Sequence, residues 1–167
     1  MERAVVHGVH TSPPAAKITV VGVPHAAASA AVFRIVAEQK VEPGLMSQHP
    51  ADGATIAITV PRSSGPPVLT ALRAVRTRIG FQRVDLEDDV VVLTLTGAGL
   101  RTDPTVPATF CEVLARGGVR LGLVTIENGR ISVVCGSFEV EVAVRTLCEA
   151  FEVGADHAIR GRAGLVR

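Results

Sequence analysis

Ala115-Arg116-Gly117-Gly118-Val119-Arg120-Leu121-Gly122-Leu123-Val124-Thr125-Ile126-Glu127 repeats the pattern of Ala37-Glu38-Gln39-Lys40-Val41-Glu42-Pro43-Gly44-Leu45-Met46-Ser47-Gln48-His49. Ala37, Val41, Gly44 and Leu45 recur as Ala115, Val119, Gly122 and Leu123, and the pairs Met46/Val124 and Ser47/Thr125 are similar. Blocks on either side support the match. Ile18 to Gly22 corresponds to the apolar run Val92 to Gly97, and Ala71-Leu72-Arg73 to Ala143-Val144-Arg145, with offsets that shift as loop insertions require. A period near half the chain means two copies of one unit, not a solenoid of many short repeats.

Working outward, each copy shows the same succession of patterns. In the first, Ile18-Thr19-Val20-Val21 is a β-branched strand ending at Gly22. The Val23-Pro24-His25 loop leads into a helix over residues 26–39, with Val32, Phe33, Val36 and Ala37 on one stripe. Residues 41–48 form an extended segment weakened by Pro43 and Gly44, Asp52-Gly53 signals a turn, and residues 54–60 alternate with period two. Pro61 to Pro67 reads as a breaker-rich loop, and Val68, Leu69, Leu72, Val75 and Ile79 then recur at helical spacing up to Gly80. Arg73, Arg76, Arg78 and Arg83 read as a solvated face, residues 81–86 as a strand, and Glu87-Asp88-Asp89 as a joint.

The second copy predicts a strand over 90–96, a loop over 97–104 and a helix over 106–116. Strands over 119–126 and 130–135 follow around Asn128-Gly129, and then a helix over 139–151. The fold class is therefore α+β, two ferredoxin-like βαββαβ units in tandem with helices on one face of each sheet. The expected units are 15–88 and 89–158, with 159–167 as a tail. Two segments compete to complete the second sheet, Ala158-Ile159 and residues 4–10. The N-terminal one, which has no place in the first copy, is preferred because it lets the chain termini close the second unit and interlock both.

Composition narrows the function. A chain of 167 residues with 47% hydrophobic content can bury a core, and a net charge of +1 offers no electrostatic basis for binding nucleic acid or an anionic membrane. Trp and Tyr are absent, which removes the stacking platforms of single-stranded nucleic-acid binders. No apolar run reaches the roughly 20 residues of a spanning helix, and the first residues lack the apolar core of a signal peptide, so a cytoplasmic location is expected. Cys111, Cys135 and Cys148 are widely spaced and read as buried apolar residues. His7, His10 and His49 make no metal-ligand pattern, and Gly97-Ala98-Gly99 lacks the remainder of any phosphate-cradling motif, so neither a metal nor a cofactor is expected.

Several stretches resemble a known family. Val6-His7-Gly8-Val9-His10, Lys17-Ile18-Thr19-Val20-Val21-Gly22-Val23-Pro24, Gly97-Ala98-Gly99-Leu100-Arg101, Ala108-Thr109-Phe110 and Arg130-Ile131-Ser132-Val133-Val134 resemble the paired ACT domains of the regulatory half, or free-standing β subunit, of bacterial aspartokinase. The resemblance implies a homodimer through ACT–ACT pairing, a possible kinase subunit as partner, a small amino-acid-like ligand such as threonine or lysine, and no chemistry of the chain's own. It also implies a ligand site at the loop after the first strand and the facing second strand of a partnering domain. Exposed N–H groups at a helix start suit a carboxylate there.

Carried over, the ligand positions are His25, Ala26, Ala27, Glu42, Gly44, Gln48, Arg101, Thr102, Asp103, Arg120 and Gly122. They depart from the family. His25-Ala26-Ala27-Ala28 replaces Asp-Lys-Pro-Gly, Glu42-Pro43-Gly44 and Arg120-Leu121-Gly122 replace Asn-Ile-Asp or Asn-Ile-Glu, and Asp103-Pro104-Thr105 replaces His-Pro-Gly, while Gln48 is retained. A pocket with these changes is not expected to keep a site tuned to threonine. His25 could remain neutral beside a helix start or be a solvated loop residue. Arg120 could fork a carboxylate or be a surface charge. An alternative reading is an ACT-scaffold enzyme of a specialised pathway, using His25, Glu42 and Asp103 for acid/base or cyclisation chemistry, with Arg120 beside them.

Overall fold

The computed structural model describes residues 4–50, 53–100, 102–127, 129–154 and 158–160. The chain divides into two compact units, Pro14–Val90 and a discontinuous one made of Met1–Pro13 with Val91–Arg167.

In the unit Pro14–Val90 the order is β2 (Ala15–Val23), α1 (Ala26–Glu38), β3 (Met46–His49), β4 (Ala54–Pro61), α2 (Gly65–Ile79) and the first half of β5 (Arg83–Ala98). Its strands run β3-β4-β2-β5, all pairs antiparallel. The apolar positions of each element meet in one core: Ile18 and Val20 from β2, Val32 and Val36 from α1, Ile56 and Ile58 from β4, and Val68 and Leu72 from α2. α2 stops where Gly80 adopts a left-handed φ of 89° and its N–H bonds to the Arg76 carbonyl at 2.8 Å.

The other unit takes β1 (Val5–Thr11), the second half of β5, α3 (Thr105–Arg116), β6 (Val124–Glu127), β7 (Arg130–Gly136), α4 (Val140–Ala150) and β8 (Ala158–Arg160). β1 lies antiparallel beside β5, β8 adds in parallel on the other side of β1, and β7 joins β5 to β6. Both terminal segments therefore enter the sheet, β1 in the position next to β5. Phe110, Leu114, Leu93, Leu95, Ile131 and Leu147 fill its core.

Three local expectations are corrected. Glu87-Asp88-Asp89 is not a break between elements, because β5 continues through it, with a shift in its register on β2 between Glu87 and Val90. The three side chains are exposed, Glu87 pairs with Lys17, and Asp89 pairs with Arg62 at 3.2 Å; the register shift breaks the two-residue alternation that would otherwise turn one of the three inward. The 61–67 loop shrinks to one 3-10 turn at Arg62–Ser64, since Pro66 and Pro67 sit in the first turn of α2, where a missing N–H costs nothing. Residues 41–45 and 119–123 precede the regular strands β3 and β6 rather than belonging to them. They still bond to β4 and β7 through Gly44, Leu45, Gly122 and Leu123. The turn residues Asp52 and Asn128 lie outside the described residues, as do residues 161–167 of the expected tail.

Candidate functional site

In the unit Pro14–Val90, β2 delivers Pro24 and His25 to the start of α1. His25 is extended (φ −161°, ψ 168°), and its Nδ1 accepts the Ala28 N–H at 3.1 Å, so the ring caps the helix. Accepting at Nδ1 requires the lone pair there, with the proton on Nε2. Ala26 and Ala27 follow, both exposed, with the unpaired N–H groups of a first helical turn and no acidic side chain in that turn. A groove of about 720 Å³ runs from His25 and Ala27 along α1 past Arg34 and Glu38 to Arg78. Glu42 and Gln48 are exposed on the segment through β3, and β4 lies between that strand and β2. Within this unit the loop half and the strand half of the expected ligand set do not converge.

In the other unit the loop after β5 closes on itself. The Thr102 hydroxyl donates to the Gly99 carbonyl at 3.0 Å, while Asp103 Oδ1 accepts from the Thr105 N–H at 3.0 Å and from the Thr105 hydroxyl at 2.6 Å. A carboxylate thus already sits at the start of α3. Arg101 lies outside the described residues. Arg120 is exposed, its Nε 3.5 Å from Glu139 Oε1 and its guanidinium carbon 5.7 Å from the centroid of the Phe138 ring. Burial, and secondarily the Glu139 charge, push the Cys135 thiol up to about 11, so it is no thiolate nucleophile near neutral pH. Among the described residues no group of three or more His, Cys, Asp or Glu side chains is placed to hold a metal ion, and no helix is long and apolar enough to cross a membrane.

No protein-family model matches the chain. The aspartokinase of Mycolicibacterium smegmatis is 41% identical over 161 residues, covering 93% of this chain but 38% of that protein. Among solved structures, the regulatory subunit of aspartate kinase from Thermus flavus superposes with a TM-score of 0.80 at 28% identity, covering 88% of this chain and 99% of that one. The same fold recurs in a structure of aspartokinase alpha and beta subunits, with a TM-score of 0.83 at 26% identity, over 89% of this chain and 100% of the matched one. The chain carries the tandem ACT regulatory architecture of the aspartokinases. It spans about two fifths of the length of the curated aspartokinases it matches.

In this ACT pair, Gly44 and Gly122 occupy equivalent places, and each is needed by its own sheet. The Gly44 N–H donates to the Thr59 carbonyl at 2.8 Å and the Gly122 N–H to the Val134 carbonyl at 3.0 Å. A Cβ on Gly44 would lie 2.6 Å from the Thr59 hydroxyl, and one on Gly122 would lie 2.7 Å from the Val134 carbonyl oxygen. A hydroxyl can rotate away, at the cost of its bond to the Leu45 N–H (2.7 Å), whereas a backbone carbonyl in a sheet cannot. We expect Gly122→Ala to destabilise its unit by roughly 2 kcal/mol and Gly44→Ala by about half that. Urea unfolding followed by circular dichroism measures both, and equal losses would contradict the packing described.

Among the described residues beside Arg120, sequence reasoning missed Glu139 and Phe138. Glu139 falls at the start of the helix expected over 139–151, where helical spacing alone gives it no separate role. The available signal was its position three residues after Gly136, the spacing of a capping box without the usual Ser or Thr at its head.

Proposed function

We propose that the chain is the regulatory ACT pair of an aspartokinase-type system, sensing a small amino-acid-like ligand and acting on a kinase domain. The observation that carries this reading is the end-to-end match with isolated regulatory subunits, 99% of the Thermus flavus chain. The matched structure that contains both alpha and beta subunits supports a kinase partner. A homodimer formed by ACT–ACT pairing in the cytoplasm belongs to the same proposal.

The two helix starts suggest where a ligand carboxylate binds. The start of α1 is capped by an uncharged acceptor and has no acid in its first turn, whereas the start of α3 already holds the Asp103 carboxylate. A helix N-terminus attracts one anion and a second is repelled, so the His25-Ala26-Ala27 end is the favourable one. The departures from the family at His25, Glu42 and Arg120 imply a changed ligand preference. His25 Nδ1 already accepts from the Ala28 N–H and Asp103 Oδ1 from Thr105, which argues against a catalytic use of His25, Glu42 and Asp103.

Titration calorimetry of the chain with threonine and with lysine, together with capture of an aspartokinase catalytic subunit, tests the reading. If neither amino acid binds and no catalytic subunit is retained, it fails. His25→Asp is a sharper probe. It gives α1 a charged cap, expected to raise stability by about 0.5 kcal/mol, while weakening amino-acid binding about tenfold or more through like-charge repulsion.

A further inference from the structure

The two copies differ at the turn that leads into their second helix. In the unit Pro14–Val90, Arg62–Ser64 passes into α2 with no side-chain cap. In the other unit Glu139 turns back on the chain. Its Oε2 accepts the Gly136 N–H at 2.7 Å, and its Oε1 accepts the N–H of Arg120, nineteen residues earlier, at 3.0 Å. The residue is 7% exposed, and a carboxylate at that depth is costly unless donors meet its oxygens. Both oxygens are met.

Arg120 is held twice over by this turn. Its backbone N–H donates to the Glu139 carboxylate, and its side chain, 72% exposed, has Nε 3.5 Å from that carboxylate and its guanidinium carbon 5.7 Å from the centroid of the Phe138 ring, itself 76% exposed. A Cβ on Gly136 would stand 2.9 Å from Glu139 Oε2 and 2.7 Å from the Phe138 ring, so both side chains would have to shift to admit one. Gly136-Ser137-Phe138-Glu139 therefore acts as one clamp, closed on the segment that carries Arg120 and Gly122.

We infer that Glu139 is a positioning residue of the ligand set: without touching the ligand it fixes the backbone and guanidinium of Arg120 and ties that segment to the start of α4, a role that rests on the sensing reading above. Ligand affinity and the α4 start are then coupled through one carboxylate. Burial works against the charge of Glu139, but the Arg120 and Gly136 N–H donors and the Arg120 guanidinium together hold its carboxyl below the ordinary value. Among the described residues the charged and titratable groups that act on it are Arg120 and the Cys135 thiol. A carboxyl lowered in the folded state contributes stability that is fully present above the ordinary carboxylate range and is lost as pH falls through the lowered value. The clamp is closed at neutral pH and opens only in acid.

The test uses the whole chain as wild type, Glu139→Gln, Arg120→Ala and the double variant. Glutamine keeps the size and one acceptor oxygen but turns an amide N–H toward one of the two donors. Amide hydrogen exchange at Arg120 and Gly136 is expected to quicken about tenfold in Glu139→Gln, the loss of one buried hydrogen bond, while Val32 in α1 stays unchanged. In wild type the two amide resonances should titrate together below the ordinary carboxylate range, and in Glu139→Gln that titration should vanish. With threonine and lysine as probes, Glu139→Gln should weaken binding about five- to tenfold in the Arg120 background and clearly less in the Arg120→Ala background, where only the backbone bond is left to lose. Additive losses would overturn the action through Arg120. If neither probe binds wild type, the sensing reading falls, and exchange and titration alone decide whether Glu139 positions Arg120: unchanged exchange or no shared titration overturns it.

Discussion

Phe110→Ala is expected to remove about 3–5 kcal/mol from the unit that contains α3. The ring is fully buried, packed among Leu93, Leu95, Leu114, Ile131, Val133 and Leu147. Truncation removes transfer free energy and leaves a cavity, and the surrounding side chains are too rigid to fill it. The chain has two methionines and neither Trp nor Tyr, so the flexible or bulky residues that often rescue such holes are scarce. The midpoint of thermal unfolding should fall by roughly 15–30 °C for a unit of this size. Circular dichroism is the suitable probe, given the lack of Trp and Tyr. At the equivalent point of α1 the repeat carries Val32, also fully buried, where truncation to alanine should cost clearly less because fewer atoms are lost. A loss below about 1 kcal/mol at Phe110 would mean that α3 does not pack against the sheet as described.

Gly97→Ala should be nearly as damaging for a different reason. Gly97 lies opposite Val6, where the register of β1 on β5 shifts, and a Cβ there would stand 2.3 Å from the Val5 carbonyl oxygen and 3.0 Å from both Val6 Cα and the Leu100 side chain. Two of those three atoms are backbone, so β1 itself has to move. The Gly97 N–H, which donates to the Gly129 carbonyl at 3.0 Å, limits movement from the other side. We expect a loss of roughly 2–4 kcal/mol, with amide protection falling along Val5–Thr11 and in β8, which pairs with β1. Unchanged protection of the β1 amides would overturn this account. The two variants separate two contributions to the same unit: Phe110 reports side-chain packing, Gly97 the attachment of a strand.

Most of the element order was legible because each element carries its own period. Ala54 to Val60 alternates, and Val32 and Val36 mark the buried stripe of α1, patterns that tertiary contacts reinforce. What stayed hidden depends on partners distant in sequence. Three acids in a row at Glu87-Asp88-Asp89 look like a linker until Lys17 and Arg62 are seen beside them. Gly44 and Gly122 look like ligand-loop glycines until the Thr59 hydroxyl and the Val134 carbonyl are seen to occupy the space a side chain would need. The candidate site was legible as a set of positions but not as a set of interactions. His25 and Asp103 could be placed at helix starts, yet only the geometry shows the His25 ring capping α1 and the Asp103 carboxylate bonded to Thr105, and no local pattern pairs Arg120 with Glu139.

The discontinuity of the second unit bears on the order in which the chain folds. Residues 14–90 interrupt it, and the chain leaves and returns through neighbouring residues: Ser12 N–H bonds to the Val92 carbonyl at 2.8 Å, Val92 N–H to the Ser12 hydroxyl at 3.0 Å, and Ala15 pairs with Val90. Bringing β1 onto β5 across an unstructured loop of that length costs about 2–3 kcal/mol more than across a short turn. Once the interrupting unit has folded, its own β2–β5 pairing holds those ends together and the extra cost disappears. Folding of residues 14–90 is therefore expected to lower the entropy cost of closing β1 onto β5.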